Sequence, residues 1–285
     1  MKYLIIGRNG QLAQEFIKTF ELHSIAFSAP SETLLDITDR KNVADAVSTY
    51  KPDVILNCAA YNLVDKAEQD PDTAFKVNAI GPQNLAQAAA QQKAFLVHFG
   101  TDYIFDGQKQ NGLYTEADQA NPLNVYGKSK LAGEEHVLNE LAQCLVFRLS
   151  WVYGDGKQNF IHKLVERSKS SEYLTVTCDE FSVPTSTETV VDVTLKALEQ
   201  GVTGLYHLTN TGFCSRYEWA RMVLSTLGIN KFIRPVTMDT FKLPAQRPQF
   251  SSMSNEALAT QLNISIPSWE EAVQSYLRKR SESHE

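Results

Sequence analysis

The chain has 285 residues, 43% hydrophobic and 21% charged, which suits a soluble globular protein of one large α/β domain or a main domain with a smaller companion. Its formal charge of −6 leaves no basic footprint for nucleic acid, so an anionic ligand needs local cations. No apolar run reaches membrane-spanning length, the first residues are too short for a signal peptide, and Cys58, Cys144, Cys178 and Cys214 are scattered, which together predict reduced thiols in the cytoplasm.

The first predicted strand, Tyr3 to Ile6, runs into Gly7-Arg8-Asn9-Gly10-Gln11-Leu12-Ala13 and then a helix with Phe16, Ile17 and Phe20 on one face. A strand, a glycine turn and a helix start favour an anion, because free N–H groups and the helix dipole both point at it. The spacing Gly-x-x-Gly-x-x-Ala differs from the common dinucleotide fingerprint. A turn needing glycine only for its backbone angles is the plainer reading, but the position at the head of an alternating β/α chain favours a dinucleotide. Ser28, Ala29 and Pro30 follow the second predicted strand (25–27), with no acid there to grip a ribose. Arg8 could meet a 2′-phosphate instead, so the reading leans to NADPH and keeps NADH open.

Next come a helix over 39–50 behind a Thr38 cap, a strand at 54–57, an alanine-rich helix over 71–92, a strand at 95–99, a helix over 129–141 and a strand at 145–149. Such continuous apolar strands suit a parallel sheet covered on both faces. The fold expected is therefore α/β, a Rossmann-type doubly wound parallel sheet with a smaller C-terminal substrate-binding lobe. Residues 1–150 form the dinucleotide-binding domain and 151–285 mainly the lobe. Within the lobe the pattern predicts helices at 160–168, 189–199, 217–227 and 269–280, strands at 174–177 and 205–208, and a proline-bearing loop at 235–248. Some of these segments are free to return to the main sheet.

Tyr-x-x-x-Lys occurs twice among 11 tyrosines, so the bare spacing carries little. Tyr153 and Lys157 enclose Gly154-Asp155-Gly156, a turn composition after an apolar run. Tyr126 and Lys130 precede an amphipathic helical pattern with Leu131, Val137, Leu138 and Leu141, where positions four apart share a face. A lysine ammonium about 4 Å from a phenol is worth roughly 4 kcal/mol at an effective dielectric of about 20, enough to draw the phenol towards neutral pH. That is the expectation for Tyr126.

Gly7 to Ala13, Leu35-Asp36-Ile37-Thr38, Asn57-Cys58-Ala59-Ala60-Tyr61-Asn62-Leu63-Val64-Asp65-Lys66-Ala67-Glu68, Gly100-Thr101-Asp102-Tyr103-Ile104-Phe105-Asp106-Gly107 and Tyr126 to Lys130, taken in order, resemble the extended short-chain dehydrogenases/reductases. Within them the chain is similar to the dTDP-4-dehydrorhamnose reductase family. Arg148 to Gly154, Pro184-Thr185 and Arg247-Pro248 with Ser251 extend the likeness over essentially the whole chain.

The resemblance implies that Thr101, Tyr126 and Lys130 are catalytic. It places Gly10, Gln11 and Leu12 at the cofactor pyrophosphate, beside Gly7, Arg8 and Asn9 of the same turn. Asp36 and Ile37 fall beside the adenine, and Ala59, Ala60 and Tyr61 along the cofactor. Asn62, Val64, Thr101, Asp102, Tyr103 and Trp151 fall at a dTDP-sugar. Arg247 is either a partner for a substrate phosphate or a solvated loop arginine. Family members can also hold Mg²⁺ at a dimer contact; Glu15 matches one part of that site only, so Mg²⁺ is left possible but unassigned here and a homodimer stays open.

The activity implied is reduction of the 4-keto group of a dTDP-linked 6-deoxy sugar, most simply dTDP-4-dehydro-L-rhamnose, for a surface or spore-coat polysaccharide. Tyr103 stands where nucleotide-sugar dehydratases carry glutamate, which argues against dehydration. An epimerase of the same superfamily and a non-catalytic NADP-binding regulatory subunit are the alternatives. Asn62 replaces the family's usual threonine, Ala13 a third glycine, and Glu180-Phe181-Ser182 the usual Gln-x-Gly, so the exact sugar stays open.

Overall fold

The computed structural model describes residues 1–282; the last three residues of the expected lobe lie outside the described residues. In chain order the first half contains β1 (Tyr3–Ile6), α1 (Gln11–Leu22), β2 (Phe27–Ser28), α2 (Arg40–Tyr50), β3 (Val54–Asn57), α3 (Val64–Ala67), α4 (Pro71–Phe75), α5 (Gly81–Gln92), β4 (Phe95–Thr101), α6 (Val125–Glu140) and β5 (Cys144–Leu149). The second half adds β6 (Val152–Tyr153), α7 (Phe160–Ser170), β7 (Leu174–Thr177), β8 (Phe181–Ser182), β9 (Thr185–Ser186), α8 (Thr187–Glu199), β10 (Gly204–His207), β11 (Cys214–Ser215), α9 (Arg216–Thr226), β12 (Ile233–Val236), α10 (Glu256–Leu262) and α11 (Trp269–Glu282).

Six strands pair in the order β2-β1-β3-β4-β5-β10, every neighbour parallel. The chain leaves β1 for β2 on one side, then returns past β1 to build β3, β4 and β5 on the other. That reversal opens a crevice beyond the carboxyl ends of β1 and β3, the place where open α/β sheets receive ligands. Phe16 and Phe20 of α1, Val190 and Val193 of α8, and Leu258 and Leu262 of α10 cover one face. Val43 and Val47 of α2, Leu85 and Ala89 of α5, and Val137 of α6 cover the other. Each large apolar side chain so buried contributes about 1.5–3 kcal/mol. The sheet is thus a rigid base for whatever sits at its edge.

A separate apolar cluster around Tyr153, Leu164, Trp219, Trp269 and Tyr276 holds the remaining elements together. There β12 pairs with β7 and β6 with β9 in parallel, while β11 meets β8 antiparallel. β10 does not belong to this cluster. It lies against β5 at the edge of the main sheet, with Leu205 beside Val146.

Several local expectations shift for physical reasons. Asp39, not Thr38, caps α2, its carboxylate accepting from the backbone N–H of Lys41 at 2.9 Å and Asn42 at 3.1 Å. The Thr38 hydroxyl is engaged by Asp36 instead, at 2.8 Å. β12 takes Pro235 into a strand expected to be loop, which an edge position allows. α6 begins at Val125, four residues early, because Asn124 accepts from Gly127 N–H at 2.7 Å.

The alanine-rich segment is also interrupted. A π-helical turn over Lys76–Ile80 separates α4 from α5. Asn78 in that turn accepts from Tyr61 N–H at 2.7 Å and donates to Tyr61 carbonyl at 3.1 Å and Ser129 hydroxyl at 3.0 Å. One irregular turn therefore fixes the segment after β3 against α6.

Candidate active site

A cleft of about 1090 Å³ follows the carboxyl edge of the sheet. At its centre is the glycine turn. Gly7 has φ +79°, and a Cβ there would stand 2.7 Å from Ala59 N, so both the left-handed backbone and the close approach of the two segments require glycine. Gly10 N–H donates to Gly7 carbonyl at 2.9 Å, and Gly10 starts α1 with no side chain to cap it. The first N–H groups of that 12-residue helix are left for a ligand.

Of the expected cofactor residues, Gly7, Asn9, Gly10, Gln11, Leu12, Asp36, Ile37, Ala59, Ala60 and Tyr61 line this cleft. Arg8 does not; it is exposed on the outside of the turn, and its carbonyl accepts from Gln14 Nε2 at 2.5 Å. Gln11 has a second attachment, donating to Val152 carbonyl at 3.1 Å and so tying α1 to β6 across the cleft.

Thr101, Asp102, Tyr126, Lys130, Asn62 and Trp151 line the other end. Tyr126 and Lys130 therefore open onto one space, together with the glycine turn. Tyr126 OH donates to Asn62 Oδ1 at 3.3 Å, and Lys130 Nζ donates to Phe99 carbonyl at 2.6 Å. The electrostatics differ from the sequence expectation. Burial pushes the Tyr126 phenol up to about 12, with the Thr101 hydroxyl pulling the other way. Burial also draws Lys130 down to about 8. Desolvation, and not attraction between the two groups, thus sets both shifts.

The Thr101 hydroxyl has a structural contact as well as a place in the cleft. It accepts from Tyr103 N–H at 3.3 Å, capping a short 3-10 turn, and it donates to Asp102 Oδ1 at 3.3 Å while facing the cleft. Asp102 is 3% exposed and receives Ser251 Oγ at 2.5 Å and Ser182 Oγ at 2.8 Å. Burial lifts its carboxyl to about 6 despite these donors. Ser182 also meets Ser150 Oγ at 2.8 Å, so a chain of hydroxyls crosses from the main sheet to β8.

Val64, Tyr103 and Arg247 lie behind the cleft wall or beyond it. Val64 packs with Tyr61 and Val125 in a small cluster, where Tyr103 meets Tyr126 edge-on at 5.8 Å. Arg247 lines a second cleft, of about 660 Å³. Its fork grips Asp65, Nη1 to Oδ1 at 3.1 Å and Nη2 to Oδ2 at 2.8 Å, and this holds Asp65 below the usual carboxylate range.

Sequence reading missed Lys163, which lines both clefts, and Arg216, which lines the second. The Arg216 guanidinium lies 3.6 Å from the centre of the Trp151 ring, itself stacked on Trp219 at 5.7 Å. The only local sign of Arg216 is its place after Ser215, whose capping box with Glu218 starts α9. Trp151 holds φ +39°, a strained angle for a bulky residue. Among the described residues no group of three or more His, Cys, Asp or Glu side chains could hold a metal ion. Glu15 instead accepts from Thr187 Oγ1 at 3.3 Å and pairs with Lys18 at 3.6 Å.

Sheet order, glycine turn and the Thr101, Tyr126 and Lys130 cluster define a Rossmann-type protein of short-chain dehydrogenase/reductase architecture. The family model described as RmlD substrate binding domain matches residues 1–282, and the chain belongs to that family. It is 32% identical over 280 residues to the spore coat polysaccharide biosynthesis protein SpsK of Bacillus subtilis, covering 98% of both chains. The crystal structure of a dTDP-4-dehydrorhamnose reductase from Clostridium acetobutylicum superposes with a TM-score of 0.95 at 36% identity, covering 99% of this chain and 100% of that one. The Bacillus anthracis dTDP-4-dehydrorhamnose reductase, crystallised in complex with NADP, gives 0.94 at 33% identity, with 98% and 99% covered.

Proposed function

We propose that this chain is an NADPH-dependent reductase of the 4-keto group of a dTDP-linked 6-deoxy sugar, forming dTDP-L-rhamnose from dTDP-4-dehydro-L-rhamnose for a surface or spore-coat polysaccharide. The observation that carries the reading is that Thr101, Tyr126 and Lys130 share one cleft with a glycine turn shaped for a pyrophosphate. Residues 1–150 supply most of the cofactor groove, and the sugar nucleotide lies between that groove and the later segments. Free thiols at Cys58, Cys144, Cys178 and Cys214 agree with a reducing cytoplasm.

The residues present fit a dinucleotide. Gly7 lets two backbone segments close on a phosphate, and the uncapped start of α1 faces it. Gly10, Gln11 and Leu12 would hold the pyrophosphate, Asp36 and Ile37 the adenine end, and Ala59, Ala60 and Tyr61 the stretch between. Bound NADPH supplies the hydride. Tyr126, protonated throughout the neutral range, gives its phenolic proton to the ketone oxygen as negative charge gathers there. Thr101 turns its hydroxyl from Asp102 to that oxygen and stabilises the same charge. Lys130 offers its ammonium protons from the floor and orients the nicotinamide ribose. Lys163, Arg216 and Arg247 place positive charge along the second cleft, where a nucleoside diphosphate fits.

A panel of 4-keto nucleotide sugars, followed by loss of reduced nicotinamide absorbance, tests the proposal. Turnover with the dTDP-linked 4-keto-6-deoxy sugar, reduced about 10²–10⁴-fold by Tyr126→Phe, is the expected result. Cofactor binding without turnover of any member would point to a regulatory binding protein, and interconversion with tightly held cofactor to an epimerase.

A further inference from the structure

Beneath the floor of the active-site cleft lies a buried ion pair that no step above uses. Glu134 and Arg148 are 2% and 5% exposed. Arg148 Nη2 reaches Glu134 Oε1 at 2.6 Å and Arg148 Nε reaches Oε2 at 3.0 Å, a two-point grip that fixes the carboxylate in space. On its other side Arg148 Nη1 lies 3.3 Å from His207 Nε2. The gripped carboxylate presses on the cleft floor itself: a Cβ added to Gly100, which lines the cleft, would stand 3.3 Å from Glu134 Oε2.

Glu134 is also one helical turn along α6 from Lys130, a spacing at which side chains on one face meet. Lys130 is 3% exposed, and a lysine that far from water sheds its proton unless an anion holds it. The titratable groups around it are Tyr126 and Glu134 on α6, His98 of β4, Asp102 after β4, Cys58 after β3, and Arg148 of β5 behind Glu134. His98 is fully buried and held neutral by that burial and by the charge of Lys130 itself. Burial keeps the Cys58 thiol protonated. Arg148 repels an ammonium. Asp102 is engaged by Ser182 and Ser251, and among the described residues Glu134 is the carboxylate whose charge supports Lys130, opposing the burial that otherwise pulls the amine down.

We propose that Glu134, clamped by Arg148 beneath the cleft, is a positioning residue that keeps Lys130 in its ammonium form and aimed at the cleft. The Arg148 grip keeps the carboxylate from swinging out to water, so the support does not relax. The proposal rests on the reductase reading only for its kinetic arm.

Two readouts test it. In the cofactor-free protein, the ¹³Cε resonance of Lys130, assigned with Lys130→Arg, is titrated in wild type, Glu134→Gln and Glu134→Asp. In the enzyme assay, kcat/KM is measured against pH. In Glu134→Gln the lysine titration and the alkaline limb both move down by about one pH unit, so activity falls about fivefold at pH 8, approaches a tenfold deficit near pH 9 and recovers towards wild type below pH 6.5. Glu134→Asp restores part of the shift. If Glu134→Gln leaves Arg148 uncompensated and fails to fold, Glu134→Leu/Arg148→Met removes both charges at similar volume and moves the limb in the same direction. A rate lowered equally at every pH, or a Lys130 titration that stays put, overturns the proposal. If the wild type turns over no 4-keto nucleotide sugar, the reductase reading fails, and the resonance titration still decides the role of Glu134.

Discussion

The two clefts are built on opposite plans. The longer one is framed by backbone: the carboxyl ends of β1 and β3, a glycine turn, and the uncapped start of α1. The second is framed by side chains from segments far apart in the chain, with Lys163, Arg167, Arg216 and Arg247 set against Asp106, Glu180 and Asp239. A backbone cleft has its shape fixed by a few residues that tolerate nothing larger. A side-chain cleft can be retuned charge by charge. Such a division separates what backbone geometry dictates from what side-chain chemistry can vary.

The sharpest way to break the comparison is to put a methyl group where the backbone cleft has no room. Gly7→Ala forces an alanine to φ +79° and drives its Cβ to 2.7 Å from Ala59 N, where no flexible side chain can give way. A left-handed alanine costs about 1–2 kcal/mol and overpacking about 1–3 more. The expected outcome is a loss of roughly 2–5 kcal/mol in urea unfolding together with loss of measurable NADPH binding by fluorescence titration. Normal affinity in a folded Gly7→Ala protein would mean that this backbone does not set the cleft.

The same division explains what could be read in advance. The sheet, most of its helices and the glycine turn follow from local rules, with apolar runs marking strands and glycine the turn, whereas Asp36, Ile37 and Ala59 to Tyr61 were reached only through the family resemblance. The Tyr126 and Lys130 pair was likewise separable from Tyr153 and Lys157 by local composition alone, and Tyr153 does end in β6 before a loop. What escaped was tertiary. Arg216 reaches Trp151 only because α9 packs beside β6, and the hydroxyl chain on Asp102 draws Ser182 and Ser251 from segments 80 and 149 residues away. The sign of the Tyr126 perturbation was misjudged for the same reason. Coulomb attraction can be written from spacing, whereas desolvation needs to know what covers the group.

Asp102 tests the junction of the two plans through the pH dependence of stability. Its folded carboxyl sits at about 6, above the ordinary value near 4, so the folded chain holds this proton more tightly than the unfolded one. The stability it contributes is therefore greatest at low pH and is lost as pH rises from about 4 through 6, on the order of 2–3 kcal/mol. Asp102→Asn removes that dependence. The difference in unfolding free energy between variant and wild type should grow in the variant's favour across this interval and level off above it. A constant difference would show that the Ser182 and Ser251 hydrogen bonds fully offset burial, leaving the folded carboxyl at its unfolded value.

Arg247 gives the smallest effect and the cleanest contrast with Gly7. Its pair with Asp65 is partly exposed, with side chains 18% and 36% accessible, so breaking it costs stability only about 0–1 kcal/mol. The pairing nevertheless leaves the guanidinium fixed at the wall of the second cleft, and a charge-assisted contact to a phosphate there is worth about 1.5–3 kcal/mol. Arg247→Ala should raise KM for the sugar nucleotide about tenfold or more while leaving NADPH affinity and kcat close to wild type. Asp65→Asn serves as the control: it frees the fork without removing its charge, so KM should move far less. An equal rise in KM for both variants would make the Asp65 contact itself, and not the cation, the feature that the substrate needs.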